Sequence, residues 1–416
     1  MPTGPLPTVD TAASLSRPLW SVANFRHLWL AGLVSQVGDR IHQVALLWWA
    51  TEQTHSPAVA GTLLMVSTLP LVLFSPLAGW LADHWGRRPV MVLADLLRLV
   101  VAGLMAVLLW SDRLTIPSAI GLSLVLAVGG ALFNPASMAI LPDVVDEAEL
   151  PQANSWLELT MQVTGIVGPA LGGVAVALYG TATSLAANAG TFALSAVLLA
   201  LLRLRPMPVG DGESMLAGMR QVLGFLRSHP SIAWLLASFG VLNFFGVPVL
   251  VYIPYFANEV FRVGATGYGL LEAAPAVGMG AAALWLASSG PPGSVGRVYP
   301  LALLVQAAAY VAMGVWPSMA CFLVALTAIG MALGLVNILV ITHFQQVVPG
   351  EQLGRFMGLL MTVVMAMVPL SFGLAGVLTT QVVPAWVLIG SGIAMVGLSL
   401  AVRRIPALTT PVRPDS

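Results

Sequence analysis

The sequence contains no lysine, and its few charged residues exclude several classes of protein. Only 8% of the 416 residues are charged, 58% are hydrophobic, and the mean hydropathy is +0.91. Because ordinary soluble domains carry about 25% charged residues, this composition indicates a polytopic membrane protein. The 17 basic residues, all arginines, are balanced by 17 acidic ones. Since no basic surface is indicated, we expect no nucleic-acid partner.

Cysteine and histidine are also sparse. Cys321 is the single cysteine, which excludes disulfides within the chain and sites with several cysteine ligands. The six histidines are scattered, without metal-ligand spacing, at positions His27, His42, His55, His84, His229 and His343. The first 24 residues lack the compact apolar core of a cleaved signal peptide. We expect no metal, no cofactor and no enzymatic activity, since a membrane enzyme would need a nucleophile with a base or clustered histidines.

What the sequence does contain is a series of long apolar runs. Runs of roughly 18 to 26 residues are long enough to cross a bilayer, and backbone groups in lipid must pair within helices. Twelve transmembrane helices are therefore predicted, in an all-α fold. They lie at 25–50, 57–82, 89–110, 115–139, 154–178, 183–202, 231–256, 266–288, 297–316, 318–342, 355–380 and 384–402.

A polar interval divides these helices into two sets of six. We predict a cytoplasmic tail (1–24), a first six-helix bundle (25–202), a cytoplasmic central loop (203–230), a second bundle (231–403) and a cytoplasmic tail (404–416). A weak internal repeat supports the division, since Leu132-Phe-Asn134 resembles Leu335-Val-Asn337 and Gly173 matches Gly376, both at an offset of 203 residues. Secondary transporters often contain duplicated halves with a binding site between them.

Arginine placement predicts the orientation. With the amino terminus inside, only Arg113 and Arg262 lie in outer loops, Arg40 and Arg98 lie within helices, and the other arginines lie on the cytoplasmic side. Basic residues in short loops resist translocation. Both termini are therefore expected in the cytoplasm.

Polar residues on one face of the first predicted helix mark a candidate site. Gln36, Asp39, Arg40 and Gln43 are spaced three, four and seven apart, so they share a face. Asp39 lies roughly 21 Å along the helix, where ionisable groups are costly unless they are paired or face water. We expect a central cavity there and hypothesise that Arg40 controls proton binding by Asp39. The alternative is an Asp39–Arg40 ion pair that only fixes helix packing.

Other helices supply weaker candidates. Glu158 and Gln162 continue a polar stripe from Asn154 in the fifth predicted helix, although a solvated helix entrance explains them equally well. Asn134 in the fourth helix and Glu272 in the eighth are further candidates for the cavity.

A charged turn joins the second and third predicted helices. Its candidate gating residues are Gly79, Asp83, Gly86, Arg87 and Arg88. Asp95 and Arg98, which share one face of the third helix, are expected to join them. Opposite charges there favour a latch on one side of the membrane, and the alternative is a plain topogenic turn. In the fifth helix, Gly165, Gly168, Pro169, Gly172 and Gly173 predict close helix packing and a local kink.

These motifs resemble those of a known family. Gly79 to Arg88 (GWLADHWGRR) resembles the signature loop of the major facilitator superfamily, and Gly168 to Gly173 (GPALGG) resembles its antiporter motif, with Thr164 in place of the usual glycine. The arginine of the family's fourth-helix motif is missing between Ala127 and Asn134, and the second half lacks the loop. Other segments, such as Leu141-Pro-Asp143, are similar to the branch of macrolide and enterobactin exporters.

The resemblance implies two pseudo-symmetric six-helix bundles and transport by alternating access. It implies proton-coupled export of an amphipathic drug, macrolide or siderophore-like molecule by a monomer in the lipid bilayer of a bacterial inner membrane. The proton gradient would supply the energy. A lysophospholipid or other lipid cargo is an alternative, and a non-transporting membrane sensor or scaffold is an alternative of another class.

Overall fold

The structure is a computed structural model that describes residues 19–146, 149–204, 223–289, 295–348 and 350–404. Within these ranges the chain is helical, without a strand. The long helices are α1 (Ala23–Thr54), α2 (Pro57–Trp85), α3 (Arg87–Trp110), α4 (Ile116–Ala139), α5 (Leu150–Ala200), α6 (Pro230–Gly246), α7 (Val249–Tyr255), α8 (Gly264–Ser289), α9 (Val295–Val315), α10 (Met319–Val347), α11 (Gly350–Leu378) and α12 (Pro384–Val402). Short helices lie at Leu19–Ser21 and Leu141–Asp143, and a π-helix at Phe256–Val260 follows α7.

The described residues include 10 helical stretches long and apolar enough to cross a membrane. One of them, Gln152–Ala200, has 49 residues and would be about 74 Å long if straight, more than twice the thickness of the hydrocarbon core. It therefore supplies two spans. With α1, whose polar face lowers its hydropathy, the total agrees with the twelve predicted spans.

Gly180 reverses the chain within α5. Its φ of 79° and ψ of 166° interrupt the helix, in a region that glycine adopts without a steric penalty. The segments before and after it both pack on the same part of α1, since Gly168 lies against Arg40 while Thr191 lies against Gly38. These two limbs of α5 are the predicted fifth and sixth spans, joined by a turn shorter than predicted.

The seventh span differs from the prediction. It was placed at 231–256 as one helix, but it consists of α6, α7 and the π-helix that ends at Val260. Pro248, which precedes α7, has no backbone N–H to continue the hydrogen-bond pattern of α6. Residues 223–228 are also helical, although they were assigned to the central loop. The rest of that loop and most of both tails lie outside the described residues.

The first half consists of helices α1 to α5 and the second half of helices α6 to α12. Two close helix crossings join these halves. Helix α5 packs on α8 and α2 packs on α11. A Cβ atom at Gly173 would lie 3.0 Å from the Cα atom of Gly269, and one at Gly61 would lie 2.8 Å from the Cα atom of Gly376. The repeat-matched glycines, Gly173 and Gly376, thus occupy equivalent crossings in the two halves, as an internal duplication predicts.

Both crossings lie toward one end of the bundle, which we call the turn end because it holds the α1–α2 turn and Gly180. An ion pair between His55 and Glu259 joins the halves there. Trp48 of α1 also stacks on Tyr268 of α8, with ring centroids 6.0 Å apart. The halves are therefore in tight contact at the turn end. The opposite end holds the α2–α3 turn and is called the loop end.

Candidate functional site

A cavity of 410 Å³ lies between the two halves. Its polar lining residues all come from the first half among the described residues: Asp39, Arg40, His42, Gln43, Ser67, Thr68, Arg98, Ser123 and Asn134. The second half contributes Leu250, Val368 and Phe372. The first-half wall therefore carries all of these polar groups, beside leucines such as Leu46 and Leu63, whereas the facing wall is apolar.

An arginine shared by two carboxylates forms the charged centre of the polar wall. Arg98 Nη2 donates to Asp39 Oδ2 at 2.5 Å, and Arg98 Nη1 donates to Asp95 Oδ1 at 3.2 Å. The Ser195 hydroxyl donates to the other oxygen of Asp95 at 2.5 Å. Helices α1, α3 and α5 therefore meet at this cluster, which we call the acid–arginine triad (Asp39, Arg98 and Asp95).

Small and aromatic residues hold the arginine in place. A Cβ atom at Gly129 of α4 would lie 2.6 Å from Arg98 Cγ, so only glycine leaves room for the side chain. The Arg98 guanidinium lies 4.0 Å from the ring centroid of Phe192 and 5.5 Å from that of Phe133. An arginine over an aromatic face gains electrostatic stabilisation from the ring. The position of Arg98 is thus determined by the packing of three helices.

The triad is unevenly exposed. The side chain of Asp95 is 0% exposed and that of Arg98 7%, whereas that of Asp39 is 41% exposed. With every group ionised, two carboxylates share one guanidinium, which leaves one excess negative charge. Asp39 is therefore the member of the triad that is accessible from the cavity.

The structure corrects the predicted pairing of Asp39. Sequence reasoning paired it with the adjacent Arg40, and placed Asp95 and Arg98 with the gating loop. Instead, Asp39 pairs with Arg98, while the charged neighbour of Arg40 is Glu272 of α8. Adjacent residues in a helix point about 100° apart, so Asp39 faces α3 and Arg40 faces the second half.

Glu272 lies where the halves meet. Arg40 interacts with its carboxyl group across the interface, and Tyr268 is its polar neighbour on α8. The Tyr268 hydroxyl is buried, and it has no hydrogen-bond partner. Glu272 is thus an inter-half contact of the cavity residue Arg40, although it does not itself line the cavity.

The remaining candidates divide into two groups. Gln43 and Asn134 line the cavity. Gln36 accepts a hydrogen bond from the Thr164 hydroxyl at 3.1 Å, and Gln162 donates to Glu158 at 2.9 Å, both toward the loop end. These three residues lie outside the cavity lining, which agrees with the solvated-entrance alternative for Glu158.

His42 and Ser123 line the cavity but were not among the predicted site residues. Both ring nitrogens of His42 and the Ser123 hydroxyl are buried without a hydrogen-bond partner. His42 follows Asp39 by three residues, so it lies on the same helix face. That spacing was the available signal, and it was missed because the histidines were searched only for metal-site spacing.

The turn between α2 and α3 is fastened to the first half. Arg87 Nη1 donates to the Ala139 carbonyl at 2.7 Å and to Asp143 Oδ2 at 2.9 Å, and Arg88 donates to the Ala200 carbonyl. The arginines therefore bind the carboxyl-terminal ends of α4 and α5, where helix carbonyls lack partners. Asp143 is the acidic partner, whereas the surroundings of Gly79 and the side chain of Asp83 lie outside what the structure describes.

The turn itself depends on Gly86. This residue ends α2 and begins α3 with a φ of 87°, a value that side chains with a Cβ atom rarely adopt. A one-residue junction of this kind holds Arg87 and Arg88 next to the helix ends that they bind.

The glycine-rich segment of α5 packs against two helices. Gly168 and Gly172 contact Arg40 and Val44 of α1, and Gly173 contacts α8. A Cβ atom at Gly165 would lie 3.9 Å from the Cβ atom of Ala276 in α8. The segment is therefore closely packed against α1 and α8. The helix is continuous through Pro169, and its non-helical break lies at Gly180.

Comparison with known proteins agrees with this architecture. The family model described as Major Facilitator Superfamily matches residues 28–367. The multidrug efflux pump Tap of Mycolicibacterium fortuitum is 32% identical over 213 residues, which are 48% of this chain and 51% of Tap. Macrolide efflux protein A of Streptococcus pyogenes is 21% identical over 260 residues, covering 61% of this chain and 64% of that protein.

A solved structure has the same fold. The crystal structure of a bacterial homolog to the human lysosomal transporter Spinster, in an inward-facing and unoccupied conformation, superposes with a TM-score of 0.70. The two sequences are 15% identical, and the match covers 94% of this chain and 96% of that one. The likeness shows a shared fold of two six-helix bundles.

Proposed function

The chain belongs to the Major Facilitator Superfamily, and from this premise we propose that it is a proton-coupled exporter of an amphipathic small molecule. The observation that carries the proposal is the acid–arginine triad, in which one buried arginine is shared by two carboxylates and one of them opens onto the cavity. The related efflux proteins support export as the direction of transport.

The triad provides a physical basis for exchange. A proton on Asp39 removes the excess negative charge, and a cationic cargo near Asp39 compensates the same charge. Because either one makes the other less favourable, binding of proton and cargo at Asp39 is competitive. Competition of this kind is what an antiporter requires.

The cavity walls support the cargo class. Polar side chains of the first half face Leu250, Val368 and Phe372 of the second half. A molecule with one polar and one apolar face can satisfy both walls at once, whereas a uniformly polar one leaves the apolar wall unpaired. An amphipathic cargo fits this lining best.

The contacts at the turn end support alternating access. The glycine crossings and the His55–Glu259 ion pair hold the halves together there, so release toward that side requires them to separate. In our proposal the turn end faces outward, both termini are cytoplasmic, and the protein acts as a monomer without a cofactor. The α2–α3 turn, whose arginines bind only first-half residues, holds the helices of that half together at the loop end.

Transport by purified protein in liposomes tests the proposal. An imposed pH gradient should drive uptake of at least one of three probes, namely a lipophilic antibiotic such as erythromycin, a catechol siderophore or a lysolipid. Flux of the lysolipid alone would favour the lipid-transport alternative. The absence of gradient-dependent flux of every probe would overturn the exporter proposal.

A matched pair of variants tests the triad. Asp39→Asn should abolish the dependence of flux on the pH gradient, because the amide cannot accept the proton. Asp112→Asn removes a carboxylate outside the cavity, at a φ of 54° that asparagine also adopts, and should retain the dependence. Unchanged gradient dependence in Asp39→Asn would exclude Asp39 as the coupling group.

A further inference from the structure

We propose that His42 and Ser123 form a hydrogen-bonding subsite for a hydroxyl group of the cargo, and that the cargo is an amphipathic amino alcohol. The inference rests on the proposed exporter function and specifies the cargo of the same cavity. It starts from two buried polar side chains that line the cavity and have no partner within the protein.

His42 is the principal member of the subsite. Its side chain is 5% exposed, and neither Nδ1 nor Nε2 has a hydrogen-bond partner. A buried polar group without a partner costs about 1–3 kcal/mol, so such a group is retained where a ligand or water satisfies it. Since His42 lines the cavity while its ring nitrogens are buried in this conformation, a partner from the cavity reaches them once the ring rotates.

Ser123 provides a second polar group from another helix. Most buried hydroxyls in helices donate to a carbonyl one turn earlier, as the Thr68 hydroxyl does to Leu64 at 2.9 Å. The Ser123 hydroxyl lacks such a bond, although the residue is 2% exposed and lines the same cavity. Two helices, α1 and α4, therefore present unpaired hydrogen-bonding groups to one space.

The chemistry of these groups specifies the ligand. A neutral imidazole offers one donor and one acceptor, and a serine hydroxyl offers both as well. An alcohol is the simplest organic group that matches this set, because like water it both donates and accepts. Cations alone would leave the donors unpaired, and hydrocarbons would leave every group unpaired.

The spacing from Asp39 extends the inference to an amine. Residues three apart on a helix have Cβ atoms about 5–6 Å apart, so His42 lies one turn from the exposed carboxylate. A protonated amine beside Asp39 would place a hydroxyl two or three bonds away near His42. Leu46 and Leu47, in the next turn, offer an apolar surface to the rest of the molecule.

Two probes distinguish this subsite from general cation transport. Erythromycin carries an amine beside hydroxyl groups, whereas tetraphenylphosphonium is a lipophilic cation without a hydrogen-bonding group. We propose to measure the KM of liposome uptake for both probes in each variant. The informative quantity is the ratio of the erythromycin KM to the tetraphenylphosphonium KM, because KM is independent of the amount of active protein and the ratio cancels changes common to both probes.

The variants remove or conserve the hydrogen-bonding groups. His42→Leu and Ser123→Ala should each raise the KM ratio about three- to tenfold, the usual effect of one lost hydrogen bond. His42→Gln and Ser123→Thr, which keep a donor and an acceptor, should restore most of the wild-type ratio. Thr62→Val is the matched control and should change the ratio less than about twofold, because its hydroxyl already donates to the Ala58 carbonyl at 2.9 Å and the residue lies outside the cavity lining.

The outcomes separate this inference from the exporter proposal. If both probes are transported but His42→Leu and Ser123→Ala leave the ratio unchanged, the subsite is refuted and the exporter proposal stands. Transport of tetraphenylphosphonium without erythromycin also refutes the subsite alone. If neither these probes nor the siderophore and lysolipid are transported, both proposals fail.

Discussion

Replacement of Arg98 by methionine should destabilise the protein by leaving a buried carboxylate without its cation. Asp95 is 0% exposed and keeps only the Ser195 hydroxyl as a partner in this variant. Methionine retains apolar contact with Phe192 and Phe133, so the change removes charge and hydrogen bonds more than volume. Asp39 is 41% exposed and is screened by water in the cavity, so its loss contributes less.

Breaking a buried ion pair by removing one partner costs about 3–5 kcal/mol. An unfolding entropy of about 2.1 cal/mol/K per residue gives about 0.9 kcal/mol/K for a chain of 416 residues. Arg98→Met should therefore lower the melting temperature by roughly 3–6 °C. The double variant Arg98→Met/Asp95→Asn should recover more than half of this loss, because the amide leaves no buried charge.

Thermal unfolding in detergent, followed by intrinsic tryptophan fluorescence, measures these differences. Arg113→Met is the control, because Arg113 is exposed at the turn end and its loss should leave the melting temperature unchanged. Two results would refute this reasoning: an Arg98→Met variant with the melting temperature of the wild type, or no recovery of melting temperature when Asp95→Asn is added to it. Either would show that the Arg98–Asp95 ion pair does not stabilise the protein.

Three other contacts give measurable expectations. Gly173→Ala should destabilise the protein by about 1–3 kcal/mol, because its methyl group would lie 3.0 Å from the Cα atom of Gly269. Gly190→Ala, whose methyl group would have no neighbour within 4 Å, should leave the stability unchanged. Equal melting temperatures of the two variants would contradict the close crossing. A double-mutant cycle of Arg87→Ala and Asp143→Asn should give a coupling energy of about 1 kcal/mol in thermal unfolding, and additive effects would mean that the 2.9 Å pair contributes nothing. In a Cys321→Ser background, Glu259→Gln weakens the contact with His55 at the turn end. This change should speed maleimide labelling of Thr51→Cys about threefold, as expected for an exposed ion pair. Unchanged labelling would show that the pair does not close that end.

The helices were predictable because hydrophobic length alone determines which segments cross a bilayer. Glycine matching across the repeat also pointed to Gly173 and Gly376 as equivalent positions, and the structure places both at crossings between halves. The fold class is confirmed by the family match. The predicted helix boundaries were inaccurate where hydropathy is uniform, as at Gly180 and in the divided seventh span.

The partner of Asp39 was not predictable in the same way. Asp39 and Arg98 are 59 residues apart, and their pairing depends on how α3 rotates against α1, which a single helix period does not specify. The adjacent Arg40 was the natural sequence choice, but it projects in another direction. His42 was accessible to sequence reasoning through its spacing from Asp39, whereas the unpaired state of both ring nitrogens emerges only from packing.

The division of the cavity into a charged wall and an apolar wall has a consequence for adaptation. Substitutions at Leu250, Val368 or Phe372 alter the shape of the apolar wall without contacting the triad. If the proposed exporter function holds, a lineage under selection by a new toxic compound changes its cargo range through the second half while the triad stays intact. We expect laboratory selection for resistance to new compounds to recover substitutions on α7 and α11 first.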